Sequence, residues 1–154
     1  MPLTPQTDHQ YAQFVALGMR DPEEITQLLG IEPYESWKVG DTFERRGHKL
    51  KRRSSMWCVT SGYDDTHSLE DHIEALLRRL GPHRNALLDI GTRYDMQISC
   101  VSYSYQSYDF ELPFDLQRDA TELGIRFRFA SYDYGDQHEE IVELREQLNI
   151  RGEG

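Results

Sequence analysis

Residues 68–105 read SLEDHIEALLRRLGPHRNALLDIGTRYDMQISCVSYSY, and two periodicities meet in them. Ser68-Leu69-Glu70-Asp71 carries a capping-box pattern, with Asp in place of the usual Glu or Gln. Leu69, Ile73, Leu76, Leu77 and Leu80 then recur at helical spacing and predict one buried face, and Gly81-Pro82 ends the helix. Asn85 to Ile90 adds a short helix. From Tyr94 to Tyr105 the period drops to two. Met96, Ile98 and Cys100 alternate against Gln97, Ser99 and Val101, as on a strand with two different faces. A helix that needs covering sits beside a strand that can cover it, which points to helices on a sheet.

The same signals extend outward. Upstream, Tyr11–Leu17 and Ser54–Gly62 read as strands. Asp21-Pro22-Glu23-Glu24 combines an N-capping Asp, a Pro in the first turn and two acids there, and Gly30 stops the helix that Ile25, Leu28 and Leu29 stripe. Residues 31–53 have no clear period, so they are expected to form an irregular basic excursion with a hairpin around Asp41–Leu50. Downstream, Tyr108–Leu112 is expected to pair with the long strand as a hairpin. Phe114–Leu123 reads as a helix, and Ile125–Tyr132 as a strand with Ile125, Phe127 and Phe129 inward and Arg126 and Arg128 outward. A final helix over 136–149 carries the stripe Ile141, Leu144 and Leu148, which could also mediate self-association. These elements predict a single domain over 1–154, with a core from 9 to 134. The expected fold class is α+β, a ferredoxin-like two-layer sandwich: a mixed sheet of about five strands with helices packed mainly on one face.

The composition bounds the function classes. The chain has 154 residues and a formal net charge of −10, and it is 38% hydrophobic and 11% aromatic, too aromatic for a disordered chain. No run approaches the roughly 18 apolar residues of a spanning helix. Residues 1–8 lack the charged and apolar regions of a signal peptide, so a cytoplasmic location is expected. Cys58 and Cys100 fit buried reduced thiols, and neither has a CxxC partner for a zinc ribbon. Charge is unevenly placed: Arg45, Arg46, Lys49, Lys51, Arg52 and Arg53 put +6 into nine positions, leaving 27 acids against 11 bases, or −16, elsewhere.

Phe14, Gly18, Pro22-Glu23-Glu24-Ile25-Thr26, Leu29-Gly30-Ile31, Gly40, the basic run before Trp57, Ser68-Leu69-Glu70-Asp71-His72-Ile73 and the closing Ala130-Ser131-Tyr132-Asp133-Tyr134 occur in an order that resembles one bacterial family. It is the family catalogued as domain of unknown function 4279. The resemblance covers roughly residues 8 to 134, with the helix from Asp136 as an extension. It implies a small cytoplasmic bacterial protein and brings no catalytic residues with it.

Three groups of residues could carry function. The basic run Arg45, Arg46, Lys49, Lys51, Arg52 and Arg53 is a candidate anion site, because guanidinium groups bind phosphate bidentately, and Trp57, Tyr34 or Trp37 could stack on a base. The bland alternative is a solvated loop facing the acidic remainder. Asp65, His67 and His72, beside Asp64, are a weak candidate for a divalent metal or an acid–base pair. The two rings, at N′ and N4 of the helix, are more simply expected to close its first turn. Tyr103, Tyr105, Tyr108, Tyr132 and Tyr134 are candidates for a protein-contact rim, or else ordinary packing at a sheet edge. GxSxG, P-loop and GxGxxG motifs are absent, and no cofactor is implied.

The leading expectation is a small acidic cytoplasmic binding protein without catalytic activity, with another protein as partner and no membrane. One version is an immunity-type protein that neutralises a cationic toxin. The alternatives are nucleotide or nucleic-acid binding through residues 45–53, and a small metal-dependent enzyme at His67 and His72.

Overall fold

The computed structural model describes residues 9–104 and 109–133. Strand β1 (His9–Gly18) leads into helix α1 (Glu23–Leu29). The turn before α1 is closed by Asp21, whose carboxylate accepts the Glu23 N–H at 3.0 Å. At the other end Gly30, at φ +65°, donates its N–H to Thr26 O and stops the helix. Strand β2 (Glu35–Trp37), the hairpin β3 (Thr42–Arg45) and β4 (His48–Lys51), and strand β5 (Ser55–Thr60) follow. Helix α2 (Leu69–Leu80) passes through a 3-10 turn (Gly81–His83) into helix α3 (Arg84–Ile90). Strand β6 (Asp95–Ser104), helix α4 (Phe114–Glu122) and strand β7 (Arg126–Asp133) complete the described chain.

Five strands form one mixed sheet in the order β2-β5-β1-β6-β7, antiparallel except for the parallel pair β6–β7. The register decides which side chains share a face. Phe14 lies opposite Val59 on one side and Ile98 on the other, so Ala12, Phe14, Ala16, Trp57, Val59, Met96, Ile98 and Cys100 face the helices. Leu69, Ile73, Leu76, Leu77 and Leu80 of α2 close over them in a single core. Trp57 takes the space left by Ala16 opposite it and meets Phe14 edge-on, with ring centres 6.0 Å apart. Gly18 is required where the sheet ends: a Cβ there would stand 2.7 Å from the Tyr94 ring. Among the described residues no helix is long and apolar enough to cross a membrane.

The expected α+β class and mixed five-stranded sheet are present, and three expectations change. Residues 109–112 form no strand, and the neighbour of β6 is β7 instead, reached through α4. A crossover of that length lets the longer, regularly alternating segment pair in parallel. Residues 31–53 are not irregular throughout. Glu35–Trp37 pairs with β5 at the sheet edge, and the hairpin forms where it was expected, as a separate two-stranded sheet. Phe129, opposite Cys100, shares the helix face but is 50% exposed. The helix over 136–149, with Ile141, Leu144 and Leu148, lies outside the described residues, as do Tyr105, Tyr108 and Tyr134.

Candidate functional site

The basic run folds back on itself at Arg46-Gly47. Both residues have positive φ, +51° and +77°, as a tight two-residue hairpin turn demands. Phe43 pairs with Leu50, which brings both to the same side of the hairpin. Arg52 leaves β4 and returns toward the sheet. Its guanidinium carbon stands 3.6 Å from the centre of the Trp37 ring and 3.8 Å from that of Phe43. The cation is thus held between two aromatic faces and is 9% exposed. Burial lowers its pKa from the usual arginine value, while Glu35 and Asp41 pull it back up. Backbone bonds close the open end of the hairpin: Arg52 N–H donates to Asp41 O at 2.7 Å, and Gly40 N–H to Arg52 O at 2.9 Å. The Trp37 indole N–H donates to Ser54 O at 3.1 Å.

Around Arg52 lies a pocket of about 640 Å³, lined also by Trp37, Phe43, Arg45, Lys51 and Arg53. Four of the six expected cations therefore converge. Arg46 sits at the exposed hairpin tip, and Lys49 is exposed opposite Glu44. Trp57, expected beside them, is fully buried beneath the sheet with its indole N–H on Thr26 Oγ1 at 3.0 Å, so it cannot stack on a ligand. Trp37 has that position. Phe43 is the residue that sequence reasoning missed, and its place opposite Leu50 in a hairpin of otherwise polar residues is the signal that could have found it.

The second group surrounds the start of α2. Ser68 Oγ accepts the Asp71 N–H at 3.1 Å, and Gln10 Oε1 accepts that of Leu69 at 2.8 Å. His67 and His72 do meet, edge to face with ring centres 6.3 Å apart, and Tyr63 stacks on His67 at 4.3 Å. The carboxylates are engaged separately. Asp65 pairs with His9 at 3.0 Å, Asp71 with His67 at 3.6 Å, and Asp64 bonds Thr66, whose hydrogen bonds lower its pKa. Asp65, His67 and His72 do not converge: among the described residues no group of three or more His, Cys, Asp or Glu could hold a metal ion. His72 is buried, and its Nδ1 faces Ser61 Oγ at 2.5 Å. Burial lowers the pKa of the ring below the usual histidine value, and His67 adds to the shift.

On the sheet face away from the helices, Tyr11, Tyr103 and Tyr132 stack across β1, β6 and β7, with centres 6.3 and 5.1 Å apart. Tyr103 is fully buried at the middle of this row, so only its neighbours reach the surface. Cys58 and Cys100 are buried free thiols whose pKa burial pushes up to about 12, which removes them as nucleophiles near neutral pH.

A model of the family described as Domain of unknown function (DUF4279) matches residues 8–134, and so spans every strand and helix described above. No curated protein and no solved structure matches the chain.

Proposed function

We propose, for a chain that belongs to the domain of unknown function 4279 family and takes no activity from that family's description, a ligand-binding role in which the hairpin pocket seats a phosphate-bearing anion. One observation carries this reading. Arg52 is fixed between Trp37 and Phe43, at the wall of a pocket that Arg45, Lys51 and Arg53 also line. Fixing a guanidinium in advance lowers the ordering cost of bidentate contacts to phosphate oxygens. The acidic remainder repels anions from other faces, so association is directed to this one. Two buried reduced thiols suit a reducing cytosol. The ferredoxin-like, two-layer description of the fold rests on helices gathered over one face of the sheet.

Titrating the protein with inorganic phosphate, pyrophosphate and ATP, followed by tryptophan emission with Trp57 replaced by Phe so that Trp37 alone reports, tests the reading. A saturable change is expected that weakens with salt and disappears in the double variant Arg45→Ala/Arg53→Ala. Response to pyrophosphate as well as ATP would identify phosphate as the recognised group, whereas response to ATP alone would identify stacking. No saturable change with any of them overturns the proposal. A protein partner, the immunity-type version included, is favoured by the −16 outside the hairpin. Tyr103, expected in a protein-contact rim, is fully buried and gives such a partner no surface.

A further inference from the structure

An anion seat needs no general base, yet the start of α2 holds a side-chain pair of that kind. Ser61 follows the last residue of β5 and is partly exposed. Its Oγ accepts the Tyr63 N–H at 3.2 Å and stands 2.5 Å from His72 Nδ1. In the tautomer that carries its proton on Nε2, Nδ1 is an acceptor placed to take the Ser61 hydroxyl proton. His72 is 1% exposed, and Ser61 Oγ is the side-chain group that meets its Nδ1. Burial keeps the ring in its neutral, proton-accepting form, while the backbone of Gln10 and of Asp64 favours the charged ring that would follow proton transfer. Both side chains line a pocket of about 350 Å³ whose other walls include Tyr11, Gln13, Tyr34 and Tyr63.

We propose that Ser61 is a nucleophile, with His72 as its general base, for acyl transfer from a small ester whose apolar part packs against these tyrosines. Ser61 Oγ bonds to the acyl carbon as its proton passes to Nδ1, and the carbonyl π pair moves onto the carbonyl oxygen. When that pair returns, the bond to the leaving alcohol breaks and the alcohol takes the proton from Nδ1. Water then attacks acyl-Ser61, giving a proton to the same nitrogen, and the acid leaves as Ser61 recovers its proton. Among the residues that line the pocket, Tyr11, Tyr34, Tyr63 and Gln13 are those whose side chains carry a donor for the oxygen that gains charge. In a Ser-His-Asp triad a carboxylate orients the second ring nitrogen. Here no carboxylate takes that place among the described residues, and close packing around the buried ring fixes its orientation. The inference is independent of the anion seat, because neither Ser61 nor His72 lines the hairpin pocket.

The test treats the full chain with a fluorophosphonate probe, maps the modified peptide by mass spectrometry, and follows p-nitrophenyl acetate turnover. One probe adduct on Ser61 is expected, absent in Ser61→Ala, with turnover lowered on the order of 10²-fold or more in that variant. Circular dichroism confirms that Ser61→Ala folds. His72→Gln, which alters a core position, should label as slowly as Ser61→Ala while retaining the same spectrum. The site map of the unmutated protein decides the matter whether or not that variant folds. No adduct, an adduct elsewhere, or undiminished turnover in Ser61→Ala overturns the proposal.

Discussion

His72 is buried on the core side of α2, and a buried imidazole makes stability depend on pH. Its pKa lies below the usual 6.5 in the folded protein, chiefly through burial, with His67 lowering it and Asp71 raising it. The unfolded chain therefore takes up the proton first as pH falls. Stability held above pH 6.5 drops below it, with a slope of at most about 1.4 kcal/mol per pH unit for one group. Urea midpoints measured across this range should fall with pH, and His72→Gln should flatten the profile; an equal slope in the variant would assign the effect elsewhere. Gly18 gives a second residue-scale expectation. An added methyl group would meet the Tyr94 ring at 2.7 Å and the Arg93 carbonyl at 3.1 Å. Gly18→Ala should therefore cost about 1–3 kcal/mol in chemical denaturation, as overpacking does.

At the scale of elements, the hairpin depends on one side chain more than on its ladder. An isolated two-stranded sheet is marginal in water, and Arg52 is what ties this one to Trp37. Arg52→Ala removes both ring contacts and should destabilise the hairpin by about 1–2 kcal/mol. A red shift of Trp37 emission before global unfolding, read with Trp57 replaced by Phe, is the measurement; an unshifted spectrum would count against the tie. This element also marks the boundary of what the sequence made legible. Helices α1 and α2 announce themselves through Asp21, Ser68, Gly30 and the leucine stripe. Strands β1, β5 and β6 announce themselves through aromatic and alternating residues. By contrast β2 is three residues long and is stabilised by pairing with β5, so no local pattern marks it. The same reason hid the site. The six cations were visible, but that Arg52 turns inward onto Trp37 and Phe43, and that Trp57 lies in the core, depends on contacts across the sheet. Ser61 carries no local signal, because a serine at a strand end has no signature until His72 is beside it.

Over the whole molecule, stability is graded from the centre of the sheet outward. β1 and β6 are flanked on both edges and covered by α2 and the core, whereas β3 and β4 pair only with each other among the described residues. Hydrogen exchange should therefore show the amides of 42–51 opening far more readily than those of β1 and β6. Similar protection in both would mean that the hairpin opens only with the whole domain. The placement of β1 has another consequence. It lies between β5 and β6, yet it precedes both in the chain. As the polypeptide emerges from a ribosome, the strand that becomes the middle of the sheet exists without a partner until residues near 60, and has only one until residues near 104. Its Tyr11–Leu17 stretch must be kept from pairing with other chains through that interval, so aggregation during synthesis is governed by the order of translation and not by the stability of the finished sheet.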